Sequence, residues 1–136
     1  MSWRECRIHG TMTHIGNKNL LSQVILNLLG NAKDVLTAKD SENKSVLLSL
    51  KSNNTMLTIS IKDNGGGISE DIINKIFDPY FTTKHQSQGT GLGLYMSKQI
   101  IQQYFNGTIE VSNSGVEDDF GALFVISIQT QPIDEI

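Results

Sequence analysis

The chain contains little of what several classes of protein require. Cys6 is the only cysteine among 136 residues, which excludes a disulfide framework and fits a reducing compartment. Acidic residues outnumber basic ones, 14 against 11, and the formal charge of −3 argues against broad nucleic-acid binding, which needs a basic face. No stretch approaches the roughly 20 apolar residues of a membrane-spanning helix, and residues 1–7 contain no apolar signal core.

Common catalytic and metal-binding patterns are also missing. None of the three histidines belongs to a His-Glu-x-x-His pattern and no cluster of cysteine and histidine occurs, so the sequence predicts no zinc site. No serine or cysteine has a setting typical of a nucleophile. The length and the hydrophobic content of 38% are those of one globular domain with a real core.

The spacing of apolar residues predicts the elements of an α+β fold. The expected order is an edge strand at 3–9, a helix at 19–39, a strand hairpin at 46–51 and 57–62, a short helix at 69–77, a longer helix at 91–104 and strands at 108–112 and 122–129. Asn106-Gly107 has the chemistry of a left-handed helix C-cap, and a turn is expected to begin at Asn113. We therefore expect a two-layer α/β sandwich, with a mixed, mainly antiparallel sheet and the helices on one face.

An amide stripe lies on the first predicted helix. Gln23, Asn27 and Asn31 recur every four residues, so they share one side of the helix beside its apolar positions. Amide oxygens are hard, neutral ligands that suit Mg²⁺ when phosphate oxygens and water complete its shell. A solvated face with incidental amides explains the stripe equally well, and the nearby Asp34 lies on an adjoining face.

Six of the twelve glycines fall in two short stretches, which is unusual because glycine is costly to order. The first stretch, residues 65–67, follows Asp63 at the end of a predicted strand. A carboxylate there can accept a hydrogen bond from an exocyclic amine such as that of adenine, and the glycines would let the base approach the backbone. A plain turn is the alternative, although three glycines exceed what a turn needs.

The second glycine stretch, residues 89–93, opens the long helix, where backbone amides form a ready anion site. It is neither the dinucleotide-binding fingerprint nor a P-loop, because the third glycine comes one residue early and no Gly-Lys-Ser/Thr follows. A flexible hinge is the alternative. The preceding residues 77–84 carry aromatics that could anchor a lid, with hydroxyls and Lys84 that could reach phosphates; aromatics packed in the core are the alternative there.

Taken in order, these stretches resemble the boxes of the catalytic ATP-binding domain of sensor histidine kinases, in the GHKL superfamily, which also contains DNA gyrase, the MutL repair proteins and a large heat-shock chaperone. Residues 26–34 resemble the N box, residues 63–68 the G1 box, residues 77–84 the F box, residues 89–94 the G2 box and residues 121–124 the closing Gly-x-x-Phe strand. Five matches in this order are specific where any single one is not. The resemblance implies the GHKL ATP-binding fold.

The resemblance also implies a site for ATP or ADP with Mg²⁺. It makes Asn31 the Mg²⁺ ligand, places Asn27 near the phosphates and has Asp63 read the adenine amine. It assigns catalytic roles to Asn27 and Lys84. The residues that it implies for cofactor binding are Asn27, Asn31, Asp34, Asp63, Gly65, Gly67, Ile68, Phe77, Thr82, Thr83, Lys84, Gly89, Thr90, Gly91, Leu92, Gly93 and Leu94.

The type of reaction follows from one position within the resemblance. ATPases of the superfamily carry a glutamate, the general base for water, where this chain carries Asn27, and an amide cannot accept that proton. We therefore expect kinase chemistry, in which the imidazole of a separate helical dimerisation segment attacks the γ-phosphate. We expect residues 1–136 to be a single catalytic domain without that phosphoacceptor segment, so that it binds ATP but does not phosphorylate itself.

The implied partners are the helical dimerisation domain of the parent kinase and a downstream response regulator. The domain is expected to be cytoplasmic, whether or not its parent is anchored in a membrane, and to contact neither nucleic acid nor lipid directly. Two alternatives stay open: a stand-alone ATP-binding regulatory module, and a serine kinase of the anti-sigma type with the same fold.

Overall fold

The computed structural model describes residues 2–9, 18–53, 55–82 and 92–129, with side chains from residue 18 onward. Its longest element is helix α1, Lys18–Ala38. The buried side chains of α1 recur at three- and four-residue spacing, so one stripe packs on the core; they are Leu21, Val24, Leu28, Ala32 and Leu36. The helix predicted at 19–39 is confirmed to within one residue at each end.

Five strands form one sheet in the order β1-β2-β3-β5-β4. Their bounds are Ser2–His9 for β1, Ser45–Ser52 for β2, Met56–Asp63 for β3, Thr108–Ser114 for β4 and Gly121–Gln129 for β5. β1 runs parallel to β2 because α1 provides the crossover between them. The pairs β2–β3, β3–β5 and β4–β5 are antiparallel. The mixed, mainly antiparallel sheet and its N-terminal edge strand are as predicted.

Helix α2, Gly93–Phe105, lies beside α1 and packs over β4 and β5, while α1 packs over β2 and β3. The two helices therefore cover the same face of the sheet, which confirms the expected two-layer sandwich. Asn106 is the C-cap of α2, and its φ of 48° is the left-handed conformation common at this position. At the next position a Cβ would strike the carbonyl oxygen of Ser127, which explains Gly107.

β3 carries the centre of the core. Leu57, Ile59 and Ile61 are buried at alternate positions, and burial of each such side chain stabilises the fold by roughly 1.5–3 kcal/mol. Asp63 continues the same alternation by one more step and is buried as well. The period of the strand therefore brings a carboxylate to the helix-covered side at the end of the sheet.

The short helix predicted at 69–77 is wrong. This segment forms consecutive turns: the amides of Ile72, Lys75 and Asp78 donate to the carbonyl three residues earlier, and the one four-residue bond, from the Ile73 amide to the Ser69 carbonyl, is not continued along these described residues. The β-branched isoleucines in the segment lower its helix propensity. The turns nevertheless begin at Ser69, where the predicted helix was to start.

The turn predicted to begin at Asn113 is also misplaced. Asn113 and Ser114 are the last residues of β4, paired with Ala122 and Gly121 of β5. The chain reverses later, through a single 3-10 turn at Glu117–Asp119. The strand is extended because the pairing with β5 outweighs the local turn preference of asparagine.

Candidate functional site

One glycine from each of the two glycine stretches, Gly65 and Gly93, lies against helix α1. Asn27, Asn31 and Val35 recur every four residues and follow one line along the helix. Gly93, the first residue of α2, lies against Asn27, since a Cβ built at Gly93 would stand 2.6 Å from Asn27 Oδ1. Gly65 lies against Val35 in the same way. At 1.5 Å per residue the two contacts are about 12 Å apart along α1, with Asn31 midway between them.

The Asn27 end of this line meets the N-terminus of α2. Asn27 Nδ2 donates a 3.0 Å hydrogen bond to Oγ of Ser97, which is buried. This bond holds the amide so that its oxygen faces Gly93. The N-cap residue Leu92 offers no side-chain hydrogen bond to the first turn of α2. Backbone amides at such a helix start suit an anion.

Asp63 lies near the Val35 end of this line, and in the described part of the chain only one of its two carboxylate oxygens accepts hydrogen bonds. Its relative exposure is 5%, and Oδ1 accepts hydrogen bonds from the amides of Gly65, at 2.8 Å, and Ala122, at 3.3 Å. Within the described residues nothing donates to the second oxygen, Oδ2. A buried carboxylate oxygen without a donor is suited to a ligand that brings one.

The glycine triplet after Asp63 has a backbone that other residues would strain. Gly66 and Gly67 have φ of 98° and 79°, the left-handed region. The Gly66 amide donates to the carbonyl of Phe120 at 2.9 Å. A Cβ at Gly67 would also stand 2.5 Å from Phe120 Cε2 and 2.8 Å from Asn113 Oδ1. The triplet therefore does more than close a turn, because it lies directly against β4 and against Phe120, the residue that precedes β5.

Two asparagines that support this loop were not singled out in the sequence. Asn113 bonds twice to the backbone of Ile68, accepting from its amide at 2.7 Å and donating to its carbonyl at 2.8 Å. Asn64, with 1% exposed, accepts from the amide of Ser45 at 2.8 Å and donates to the carbonyl of Asn43 at 2.9 Å. No local signal identifies either, because their partners lie far away along the chain.

A cluster of ion pairs and hydrogen bonds stabilises the chain segment next to the glycine loop. Lys39 lies 2.9 Å from the carboxylate of Asp118, to which Asn43 Nδ2 also donates. The hydrogen bond from Asn43, followed by that from Lys39, lowers the pKa of Asp118 below its ordinary value. Lys62 donates to the carbonyl oxygens of Asp63 and Asp119, at 3.1 and 2.6 Å. The segment that precedes Phe120 is thereby tied to the end of β3 and to the α1–β2 connection.

The remaining predicted site residues lie in varied surroundings. Phe77 packs edge-on against Phe124 at 6.3 Å between ring centroids, and Lys98 Nζ lies 5.2 Å above its ring. Leu94 packs against the core. Thr82 and Leu92 are half-buried, and Asp34 is exposed on α1. The predicted residues Thr83, Lys84, Gly89, Thr90 and Gly91 lie outside the described residues.

Fold and site together define a class: a two-layer α/β domain in which a buried strand-end carboxylate and a helix N-terminus lie along the same long helix. Residues 16–132 match the family model described as histidine kinase-, DNA gyrase B-, and HSP90-like ATPase. The chain belongs to this family and is an ATP-binding domain. The resemblance carried by the ordered boxes is thereby confirmed.

Curated relatives of similar sequence are bacterial sensor proteins. The two-component sensor PprA of Pseudomonas aeruginosa is 36% identical over 116 residues, which cover 83% of this chain and 12% of PprA. The signal transduction histidine-protein kinase AtoS of Escherichia coli is 38% identical over 116 residues, covering 85% of this chain and 18% of AtoS. The chain thus spans less than a fifth of the length of these two relatives.

Solved structures confirm the fold. The catalytic domain of histidine kinase ThkA matches with a TM-score of 0.74 and 28% identity, covering 96% of this chain and 80% of that one. The mycobacterial sensor histidine kinase MprB has the same fold, with a TM-score of 0.75 at 22% identity over 95% of this chain and 85% of that one. In the described part of the chain, no helix combines the length and hydropathy needed to cross a membrane.

Proposed function

We propose that this domain binds Mg·ATP and donates the γ-phosphate to a histidine on a separate helical dimerisation domain, as the catalytic domain of a two-component sensor histidine kinase. The observation that carries the proposal is the placement of Gly65 and Gly93 along one side of α1, with Asn31 between their contacts. A nucleotide laid along this side would have its base at Asp63 and its phosphates at the start of α2. The sensor-kinase character of the relatives supports the transfer step.

The base end is suited to adenine. Oδ1 of Asp63 is bonded to two backbone amides, which leaves Oδ2 as the acceptor for a ligand. An ionised carboxylate accepts hydrogen bonds and cannot donate them. Adenine presents an amine at its six-position, whereas guanine presents a carbonyl oxygen that the carboxylate would repel. Asp63 would therefore select adenine over guanine nucleotides.

The phosphate end fits Mg²⁺ and a polyphosphate. Asn31 offers a hard, neutral amide oxygen, and Mg²⁺ takes its remaining ligands from phosphate and water. When bound, the ion neutralises charge that develops on the transferred group. The amides at the start of α2 would bind phosphate oxygens. The boxes imply further contacts to the nucleotide from residues outside the described ranges: Thr83, Lys84, Gly89, Thr90 and Gly91.

Asn27 favours transfer to a protein over hydrolysis. Its side-chain amide is oriented by the bond to Ser97 and has no basic atom that could take a proton from water. A nucleophile that needs no such base, the imidazole of a phosphoacceptor histidine, suits this site. The proposal includes a cytoplasmic setting, a helical dimerisation domain as immediate partner and a response regulator that receives the phosphoryl group next.

Calorimetry with ADP tests the site. Asn31→Ala is expected to abolish the Mg²⁺-dependent part of the affinity while leaving binding in EDTA unchanged. Gln23→Ala, an exposed amide two turns earlier on the same stripe, is the matched control and should bind as the wild type does. Asp63→Asn should weaken ADP and narrow its preference over GDP. Wild-type affinity in the Asn31 variant, or unchanged base preference in the Asp63 variant, would contradict the assignment.

Radiolabelled ATP tests the reaction. The isolated chain should acquire no label, and a cognate histidine-bearing helical dimer should become labelled when the chain is added. The label should be acid-labile, since phosphohistidine hydrolyses in acid, whereas an acid-stable phosphoserine on an added substrate would favour the serine-kinase alternative. Nucleotide binding without transfer to the dimer would favour a regulatory module, and label on the isolated chain would contradict the proposal.

A further inference from the structure

The side-chain amide of Asn113 clamps the exit of the glycine-rich loop. It accepts from the Ile68 amide at 2.7 Å and donates to the Ile68 carbonyl at 2.8 Å, across 45 residues of sequence. Both functions of the amide are used on one residue, which fixes the loop in position and in orientation. The geometry requires a planar group with a donor and an acceptor side by side, which only asparagine and glutamine provide.

The clamp shares its anchor with Asp63. Asn113 is the cross-strand partner of Ala122 in the pairing of β4 with β5, and the Ala122 amide donates to Oδ1 of Asp63 at 3.3 Å. One strand pair therefore holds the carboxylate at the entry of the loop and Ile68 at its exit. The glycines between these points have no side chains to hold them, and Gly67 lies directly on the Asn113 amide, since a Cβ there would stand 2.8 Å from Oδ1.

We propose that Asn113 is a positioning residue for base recognition: it sets the distance between the Asp63 carboxylate and the loop backbone against which the base lies. The proposal rests on the proposed function, because it takes adenine to bind at Asp63. Asn113 acts through the backbone of residues 65–68. Without the clamp, Asp63 keeps its own hydrogen bonds, but the loop no longer holds the base at one fixed distance from Oδ2. Selectivity for adenine then falls together with affinity.

Two substitutions separate this role from a general contribution to the fold. Asn113→Ala removes both hydrogen bonds. Asn113→Asp keeps the size and the acceptor but loses the donor, so that a carboxylate faces the Ile68 carbonyl. The released loop must be ordered again when ADP binds, and because one or two such bonds held it before, this cost is expected to weaken ADP binding by up to about tenfold in either variant. GDP, whose six-position carbonyl oxygen cannot donate to Asp63, should weaken by much less, so the ratio of ADP affinity to GDP affinity should fall.

Calorimetry with ADP and GDP in Mg²⁺, on wild type and variants, is the test. Hydrogen exchange at the amides of Gly66, Gly67 and Ile68 in the nucleotide-free protein is a second readout, and it should accelerate in both variants. Ser112→Ala, an exposed neighbour on the same strand, is the control and should change neither quantity. If Asn113→Ala does not fold, the nucleotide affinities and the hydrogen exchange of Asn113→Asp test the positioning role.

The possible results separate failure of the proposed function from failure of the positioning role of Asn113. A wild-type chain that binds no adenine nucleotide refutes the proposed function and with it this role of Asn113. A wild-type chain that prefers ADP, with folded Asn113 variants that keep the same ADP-to-GDP ratio, refutes the positioning role alone. An equal loss for both nucleotides would likewise assign Asn113 to the fold and not to recognition.

Discussion

Replacing Gly93 by alanine is expected to separate nucleotide binding from stability. The new Cβ would stand 2.6 Å from Oδ1 of Asn27 and 3.2 Å from its Cγ and Nδ2, closer than van der Waals contact allows. Because the obstacle is the end of a side chain and not backbone, Asn27 can rotate away. It then gives up its 3.0 Å hydrogen bond to Ser97 and leaves the position opposite the start of α2.

The effects on stability partly cancel. Loss of the hydrogen bond to Ser97 costs about 0.5–1.5 kcal/mol, while alanine in place of glycine contributes up to about 1 kcal/mol inside a helix and less at its first residue, where Gly93 lies. The free energy of unfolding should therefore change by less than about 1 kcal/mol. Binding should change more, because a displaced Asn27 loses any hydrogen bond to a charged phosphate, which is worth about 1.5–3 kcal/mol, a tenfold or greater loss of affinity.

Urea unfolding without nucleotide and calorimetry with ADP and Mg²⁺ measure the two quantities. The matched control is Gly30→Ala, since Gly30 is an exposed position inside α1 where a Cβ would meet nothing within 4 Å. That variant should gain about 0.5–1 kcal/mol in stability and bind as the wild type does. Unchanged affinity in Gly93→Ala, or a loss of stability as large as that of a core cavity, would refute the reasoning.

Two further predictions concern the support of the site. Asn64→Ala should lower the free energy of unfolding by about 2–3 kcal/mol, because it leaves the Ser45 amide without its acceptor; urea unfolding checks this, and a loss under about 1 kcal/mol would contradict it. Hydrogen bonds from Asn43 and Lys39 lower the pKa of Asp118, so its contribution is present above the ordinary value of 3.8 and is lost as pH falls through the lower folded-state pKa. The stability difference between wild type and Asp118→Asn should therefore shrink in acid, and a difference that persists in full at strongly acidic pH would count against the network.

How much of the site could be predicted depends on how local each signal is. The positions of Asn27 and Asn31 on one side of α1 could be predicted because helical periodicity is visible within a few residues, and that of Asp63 because it ends a strand of clear alternation, while their roles in binding stay predictions. Asn113 could not be placed, because asparagine favours turns and its partner Ile68 lies 45 residues away. The contact that gives it a role depends on the register of β4 with β5, which no local pattern encodes.

The segment at 69–77 is the opposite case, because a local helix signal was present there but did not decide the structure. Ser69 with two acidic residues after it is a valid start signal for a helix, and the turns do begin there. The signal says where a helix would start but not whether successive hydrogen bonds continue, and the segment ends at Phe77, which packs against Phe124. Packing of Phe77 on the core outweighs the weak helix propensity of the segment.

The sequence alone determined the order of the five strands and the two long helices, the two-layer sandwich and the family, because periodicity and the order of the boxes are properties of the linear chain. Tertiary structure alone decided that Gly65 and Gly93 lie on the same side of α1, that Oδ2 of Asp63 is left without a donor in the described residues, and that one cross-strand pair anchors both ends of the glycine loop. These are distances between residues far apart in sequence, and they are set by strand register and helix packing, which exist only after the chain has folded.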